Sequence, residues 1–356
     1  MAPNPRDAAS EPVATGLHLS DDAVLDVLER HYGLSVTALS PLNSEQATVR
    51  RVDTDLGRFC FKAVAATADG VEALRWQGGA IAVLADAGLP APRLLDARDG
   101  RSTVVVAVDG AAVAIQVGDW LEGMPLARST PDEDLLVGLG GIAASMSTAL
   151  ADYPPPPVAI DHVWELRNTG RTLSALLPDL DDPAIVRSVT AAVRVFDEVV
   201  APRLAGLPSG IVHHDLNDFN VLIDPHRPAS PERWPVTAIL DFGDMVAAPR
   251  VAELSTLAAY AARLSDDPVE AVVAVARGWS AILPLSIEEA AVVRAGAIAR
   301  LAVNLAVWRV RLSTDRAEYA SERIGASASA LAVLLDSSER ETTRRILEVQ
   351  GRRSGA

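Results

Sequence analysis

Lysine is almost missing from this chain. Of the 32 residues that are lysine or arginine, Lys62 is the only lysine. Cysteine is as scarce: Cys60 stands alone, which excludes a disulfide within the chain and fits a reducing cytoplasm. Its apolar neighbours make it a buried, inert thiol rather than a nucleophile. No uninterrupted apolar run reaches the ~18 residues of a membrane span, so none is expected. Positive charge is short as well, with a net charge of -15. A nucleic-acid binder wants a basic face, so that class is set aside, and the acidity leans towards a small cationic partner. There is no internal repeat and no G-x-G-x-x-G. The stretch MAPNPRDAASEPVATG holds no apolar core segment, so residues 1–18 read as a disordered leader.

What is present suits a globular chain. Hydrophobic residues make up 49% and charged residues 22%, enough for a buried core. A length of 356 residues suits two lobes rather than one small core. DDAVLDVLERHYG (21–33) has the acidic start, helical spacing and terminal glycine of a capped helix. Strands are predicted at 35–41, 47–53 and 58–64, the last two joined by TDLG. Residues 69–87 read as a helix weakened by the glycine pair 78–79. VVVAVDGAAVAIQV carries an Asp-Gly hairpin turn, and ARDGRS before it suggests a second hairpin. From about residue 121 the texture turns helical, with YPPPP (153–157) as a rigid extended connector. The expected division is an N-lobe over 19–120, a C-lobe over 121–340 and a C-terminal helix end and tail over 341–356.

Three places carry chemistry. Strand alternation puts Cys60, Lys62 and Val64 on one face. Lysine is a compact charge on a flexible stem that reaches phosphate oxygens where a planar guanidinium does not fit. A snorkelling surface lysine is the plainer reading, although arginine would serve that role equally well. IVHHDLNDFNVLI (211–223) is an apolar run, a polar loop and another apolar run, and the loop contains His213-x-Asp215-x-x-x-x-Asn220. An aspartate there can accept a hydroxyl proton, and an amide oxygen five residues on can hold a divalent cation. An ordinary turn would use the same residue types. AILDFGDM (238–245) ends an apolar strand in Asp241-Phe242-Gly243, which suits a metal chelated by phosphates. In this order the three pieces are the parts of phosphoryl transfer, and the lobe boundary falls between the lysine and the other two.

These residues give the chain a resemblance to the aminoglycoside phosphotransferase and choline kinase superfamily, small-molecule relatives of protein kinases. Within it, the chain is similar to hydroxylysine kinase-like proteins. The likeness is carried by LNSEQATVRRV (42–52), FCFKA (59–63), LRWQGGAIAVLADAGLPAPRLL (74–95), DHVWEL (161–166), HHDLNDFNVLI (213–223), ILDFGDMVAAPRVAEL (239–254) and ARLAVNLAVWR (299–309), and it spans about residues 20–335. It implies an α+β, two-lobed protein-kinase-like fold: a small antiparallel sheet with one inserted helix, then a larger helical lobe. It implies ATP or GTP with Mg²⁺, Asp215 as catalytic base, Asn220 and Asp241 as metal ligands, and Lys62 on the phosphates. Ser44, in NSEQA (43–47), would cover the phosphates, and backbone groups from Gly118 to Trp120 would meet the base.

Two departures from the family pattern stand out. His214 occupies a position where glycine is usual. The helix carboxylate that pairs with the strand lysine aligns with Gln77, with Glu72 as the alternative. For the acceptor, Asp218 and Asp244 could meet an ammonium. Arg300, Asn304 and Trp308 recur on one helix face and could line a pocket, with Trp164 as a wall. His213 reads as a hydrogen-bonder under the loop, and Arg250 and Glu253 as helix-start charges. The expected enzyme is a cytoplasmic kinase, monomer or homodimer, that phosphorylates a hydroxyl of a small amine-bearing molecule. A hydroxyamino acid such as hydroxylysine leads. An aminoglycoside phosphotransferase and a nucleotide-binding pseudokinase are the alternatives.

Overall fold

The computed structural model describes residues 17–42, 44, 47–158, 162–226, 235–311 and 317–351. Residues 1–16, 43, 45, 46, 159–161, 227–234, 312–316 and 352–356 lie outside the described residues. The described residues fall into two compact units, residues 17–122 with 154–158, and residues 123–153 with those from 162 onward.

The first unit is built on one antiparallel sheet. Its strands are β1 (Val36–Leu42), β2 (Thr48–Thr54), β3 (Gly57–Ala65), β4 (Val104–Val108) and β5 (Ala111–Asp119), in the order β1-β2-β3-β5-β4. Alternation decides which face is core: Phe61 and Ala63 are fully buried, whereas Cys60, Lys62 and Val64 on the opposite face are half-buried. The Asp109-Gly110 turn between β4 and β5 has φ of 51° and 83° at its two residues, the twist a two-residue hairpin needs. Helix α1 (Asp21–Val27) is capped by Ser20, whose Oγ accepts from the Ala23 N–H, and runs through a short π turn to Gly33 at φ 70°. Its Val24, Val27 and Leu28 pack into the core with Val52, Phe61 and Ile115.

Two details of this unit differ from expectation. Leu17, assigned to the leader, packs against the core, and its carbonyl accepts the Thr48 hydroxyl at 2.5 Å. ARDGRS forms a turn rather than a second hairpin. Ala97 N–H donates to the Arg101 carbonyl around Gly100, and no named strand flanks it.

Helix α2 (Ala68–Asp86) runs straight through the glycine pair. A Cβ at Gly78 would lie 2.7 Å from Gln116 Nε2, so the glycine lets the helix approach β5 closely. Gln116, opposite Lys62 in the sheet, seals that approach by donating to the Leu74 carbonyl and to Thr103 Oγ1.

The second unit is mainly helical: α3 (Glu133–Ala149), α4 (Thr169–Leu176), α5 (Pro183–Val195), α6 (Val251–Arg263), α7 (Pro268–Ser280), α8 (Ile287–Arg311), α9 (Ala317–Asp336) and α10 (Glu339–Gly351). The helix expected over 183–205 passes from α5 into a π turn and ends in a 3-10 turn. Helix α10 buries Thr342 and Ile346. Helix α8 is long and apolar enough by composition to cross a membrane, with a mean hydropathy of 1.6 over its best window, yet that whole window is buried in the protein. It also carries the buried polar residues Arg294, Arg300 and Asn304, which mark it as a core helix. Short strands interrupt the helices: β6 (Met124–Pro125), β7 (Ser209–Val212), β8 (Val221–Ile223), β9 (Val236–Ile239) and β10 (Val246–Pro249). They form two small sheets, β10-β7 and β6-β8-β9.

Candidate active site

The loop 213–220 leaves β7 and returns through β8, and both strands are anchored by apolar residues. At its root, the His213 ring donates from Nε2 to the Leu240 carbonyl at 2.9 Å and accepts the Asp215 N–H at Nδ1. That pair of bonds fixes the neutral tautomer. Burial pushes its pKa down against the pull of Asp215.

Asp215 is the most heavily coordinated acid of the loop. Its Oδ2 accepts from Asn217 Nδ2 at 2.7 Å and from Asn220 Nδ2 at 2.8 Å, and its Oδ1 accepts from Arg300 Nη2 at 2.5 Å. Asn217 also accepts the N–H groups of Phe219 and Asn220 at its own Oδ1, which folds the loop around Asp215. Burial pushes the Asp215 carboxyl up, Arg300 pulls it down, and Asp244 adds to the upward push, leaving it raised.

The second acidic position comes from strand register. Val221 of β8 pairs with Ile239 of β9, and Leu240 N–H donates to the Asn220 carbonyl at 2.8 Å. Asn220 and Asp241 therefore lie at the same end of this strand pair, Asn220 opposite Leu240 and Asp241 one residue beyond. Asp241 has φ 56°, with its carboxylate bent back to the Gly243 N–H and exposed.

His214 explains its own departure from the family pattern. Its φ is 71°, a conformation glycine adopts freely and a β-carbon resists. The strain is held by Glu253 Oε2, which accepts the His214 N–H at 3.2 Å. Burial raises Glu253 to about 7, opposed by the backbone N–H groups of His214 and His213 and by Arg300. Burial and the Arg300 charge push the His214 imidazole well down, so it is neutral. Asp244 meets His162 Nε2 at 3.4 Å. Burial would push the Asp244 carboxyl up, but the hydrogen bond to His162 and the Arg300 charge hold it well below the usual range.

Against Arg300 and His214 lies a small recess, lined in part by Trp164, Thr169, Ser255 and Thr256. Gly296 lets α8 approach α6 closely there, since a Cβ would lie 2.4 Å from Ser255 Oγ. Arg300 lies against the Trp164 ring at 4.9 Å and Tyr260 at 5.7 Å.

Three predicted acceptor residues need correction. Asp218 is buried and ion-paired with Arg263 at 2.8 Å, so its charge is spent inside the fold rather than offered to an ammonium. Asn304 uses its amide on the Tyr260 and Ser327 hydroxyls. Trp308 is buried and does not line the recess. Of that helical stripe only Arg300 does. Glu253, read as a helix-start charge, is a buried support for the loop. Arg250 pairs with Glu289.

In the β-sheet unit, Lys62 sits on β3 opposite Val49 and Gln116. Gln77 is on the buried face of α2 and Glu72 on the exposed face. Ser44 is exposed and its Oγ accepts the Ala47 N–H at 3.3 Å. Gly118 pairs with Cys60, and the Trp120 N–H donates to the Arg58 carbonyl at 3.0 Å, which commits that amide within the sheet.

Asn217, His162 and Arg263 make supporting contacts that the sequence does not single out. Asn217 alone has a local signal, a side-chain amide two residues after the aspartate in a turn.

This α+β architecture is that of a phosphotransferase that acts on a hydroxyl. The chain belongs to the phosphotransferase enzyme family, whose model matches residues 38–285. It is 26% identical over 291 residues to a hydroxylysine kinase of Xenopus laevis, covering 76% of this chain and 77% of that protein. Among solved structures, an amicoumacin kinase in complex with AMP-PNP and Ca²⁺ superposes with a TM-score of 0.66 at 14% identity, covering 91% of this chain and 97% of that one. A microcompartment-associated aminopropanol kinase superposes with a TM-score of 0.61 at 19% identity, covering 92% of this chain and 100% of that one.

Proposed function

We propose that this protein transfers the γ-phosphoryl group of ATP or GTP to the hydroxyl of a small amine-bearing molecule, with a hydroxyamino acid such as hydroxylysine as acceptor. The observation that carries the reading is the coordination of Asp215. Asn217 and Asn220 hold one carboxylate oxygen while Arg300 donates to the other. The curated relatives named hydroxylysine kinase support the acceptor class.

The residues present fit a divalent cation. The Asn220 amide nitrogen is spent on Asp215, which leaves the side-chain oxygen for a metal, and Asp241 follows at the same end of the strand pair with an exposed carboxylate. Two protein oxygens suit magnesium, which takes its remaining ligands from phosphates and water. When bound, Mg²⁺ neutralises charge on the nucleotide phosphates. Lys62, by the residue-by-residue resemblance, meets those phosphates with a compact ammonium.

Asp215 orients the acceptor hydroxyl in line with the γ-phosphorus. As the new oxygen–phosphorus bond forms, the bond to the β–γ bridging oxygen breaks, the nucleoside diphosphate leaves with that electron pair, and the hydroxyl proton passes to Asp215 late. His213 and Asn217 keep the carboxylate aimed throughout. A coupled assay of nucleotide consumption with ATP and GTP tests this. It should cover hydroxylysine, homoserine, choline, ethanolamine and several aminoglycosides. Turnover with a hydroxyamino acid supports the reading, and turnover confined to aminoglycosides overturns the acceptor.

A further inference from the structure

Arg300 is more than a neighbour of the proposed base. Its side chain is 6% exposed, and its Nη2 donates to Asp215 Oδ1. The other two guanidinium nitrogens, Nε and Nη1, are buried with no hydrogen-bond partner. His214 Nδ1 and Ser255 Oγ are likewise buried and unpartnered. All three residues line the same small recess. Buried polar atoms left without partners cost free energy, and several gathered around one cavity point to a group that arrives and satisfies them.

The charge of the lining says what kind of group. Arg300 is its one charged residue, and none of the lining residues is a carboxylate. His214 is neutral for the reasons of burial and the nearby guanidinium. An ammonium only donates and a hydrocarbon neither donates nor accepts, so both would leave the arginine donors unmet. A compact monoanion meets the arginine donors and the Ser255 hydroxyl together.

We propose that this recess is the carboxylate subsite of the acceptor and that Arg300 determines specificity for amino-acid acceptors. The proposal rests on the kinase reading above and names its substrate class more closely. One guanidinium contacts both the acceptor carboxylate and Asp215. The separation between carboxylate and reacting hydroxyl is therefore measured by a single side chain, clamped between Trp164 and Tyr260. The enzyme selects on the presence of the carboxylate and on chain length, and the recess has no counterpart for an aminoglycoside, which carries no carboxylate.

The test compares hydroxylysine with its decarboxylated diamino alcohol, which keeps the hydroxyl and both amines. Wild-type protein should prefer hydroxylysine in kcat/KM by about 100-fold, the worth of a charge-assisted buried pair. Arg300→Met should close most of that gap by losing the carboxylated substrate, and Arg300→Lys should restore part of it. Equal losses on both substrates would show that Arg300 acts on Asp215 alone and would overturn the proposal. So would a wild-type enzyme indifferent to the carboxylate, a result that needs no variant to fold. Calorimetric titration of hydroxylysine into nucleotide-free protein separates this from the kinase reading. Binding to wild type but not to Arg300→Met, without turnover, keeps the subsite and sinks the kinase. Turnover on the diamino alcohol alone sinks the subsite and keeps the kinase.

Discussion

Oε2 of Glu253 accepts the backbone N–H of His214 from 39 residues away in sequence, and so holds in place a non-glycine residue at φ 71°. The folded protein raises this carboxyl from 4.5 to about 7 by burial. A raised carboxyl favours its protonated form in the fold. Its stabilising contribution is complete below 4.5 and is lost as pH rises through about 7. Relative to Glu253→Gln, the wild type should therefore lose on the order of a few kcal/mol across that window. Denaturant midpoints measured against pH in both proteins check this, and parallel curves would contradict it.

Asp215→Asn should keep the loop's shape while removing the group that takes the hydroxyl proton. The expected fall in kcat is about 10²–10⁴-fold, with nucleotide affinity unchanged. Single-turnover kinetics and calorimetry read the two quantities separately. A variant that retains wild-type kcat would assign the base elsewhere.

Asn217→Ala removes the amide that aims Asp215 Oδ2 and the oxygen that receives two backbone N–H groups. Because it positions rather than binds, kcat should fall by about 10–100-fold with acceptor KM little changed. A rise in KM at constant kcat would place Asn217 in substrate binding.

Lys62→Arg answers why one lysine persists in an arginine-rich chain. A bare need for positive charge would let arginine work. If phosphate needs a compact charge, Lys62→Arg should raise the nucleotide KM about as much as Lys62→Met does, by roughly tenfold or more. Full activity of the arginine variant would reduce Lys62 to a solvent-facing residue.

The Arg263–Asp218 pair is almost wholly buried. Arg263→Met alone leaves a buried carboxylate without its guanidinium and should cost about 3–5 kcal/mol, while Arg263→Met with Asp218→Asn should recover much of it. Denaturation midpoints of the single and double variants give the comparison. Additive losses would mean the pair does not couple.

Much of the fold and site is legible because the motifs are local. The strand holding Lys62, the loop with Asp215 and Asn220, and the strand ending at Asp241 each declare themselves within about ten residues. The Asp-Gly hairpin and the capped first helix are equally readable, since turn chemistry acts between neighbours. What escapes depends on contacts made across the chain. Asp218 reads as a free loop acid because Arg263 comes 45 residues later. Asn304 reads as pocket polarity because the partners that consume its amide, Tyr260 and Ser327, lie on other helices. Glu253 reads as a helix-start charge because nothing in VAEL shows which backbone donor it will meet. Arg300 stands out in the sequence, but its grip on Asp215 spans 85 residues and shows only in the fold.

The most direct test of the central claim is the identity of the product. Wild-type protein incubated with ATP or GTP, Mg²⁺ and hydroxylysine should yield a phosphate ester on the side-chain hydroxyl, seen by phosphorus NMR and mass spectrometry, and Asp215→Asn should yield none in the same time. Nucleotide consumption without any phosphorylated acceptor, or equal product from the variant, would contradict the account.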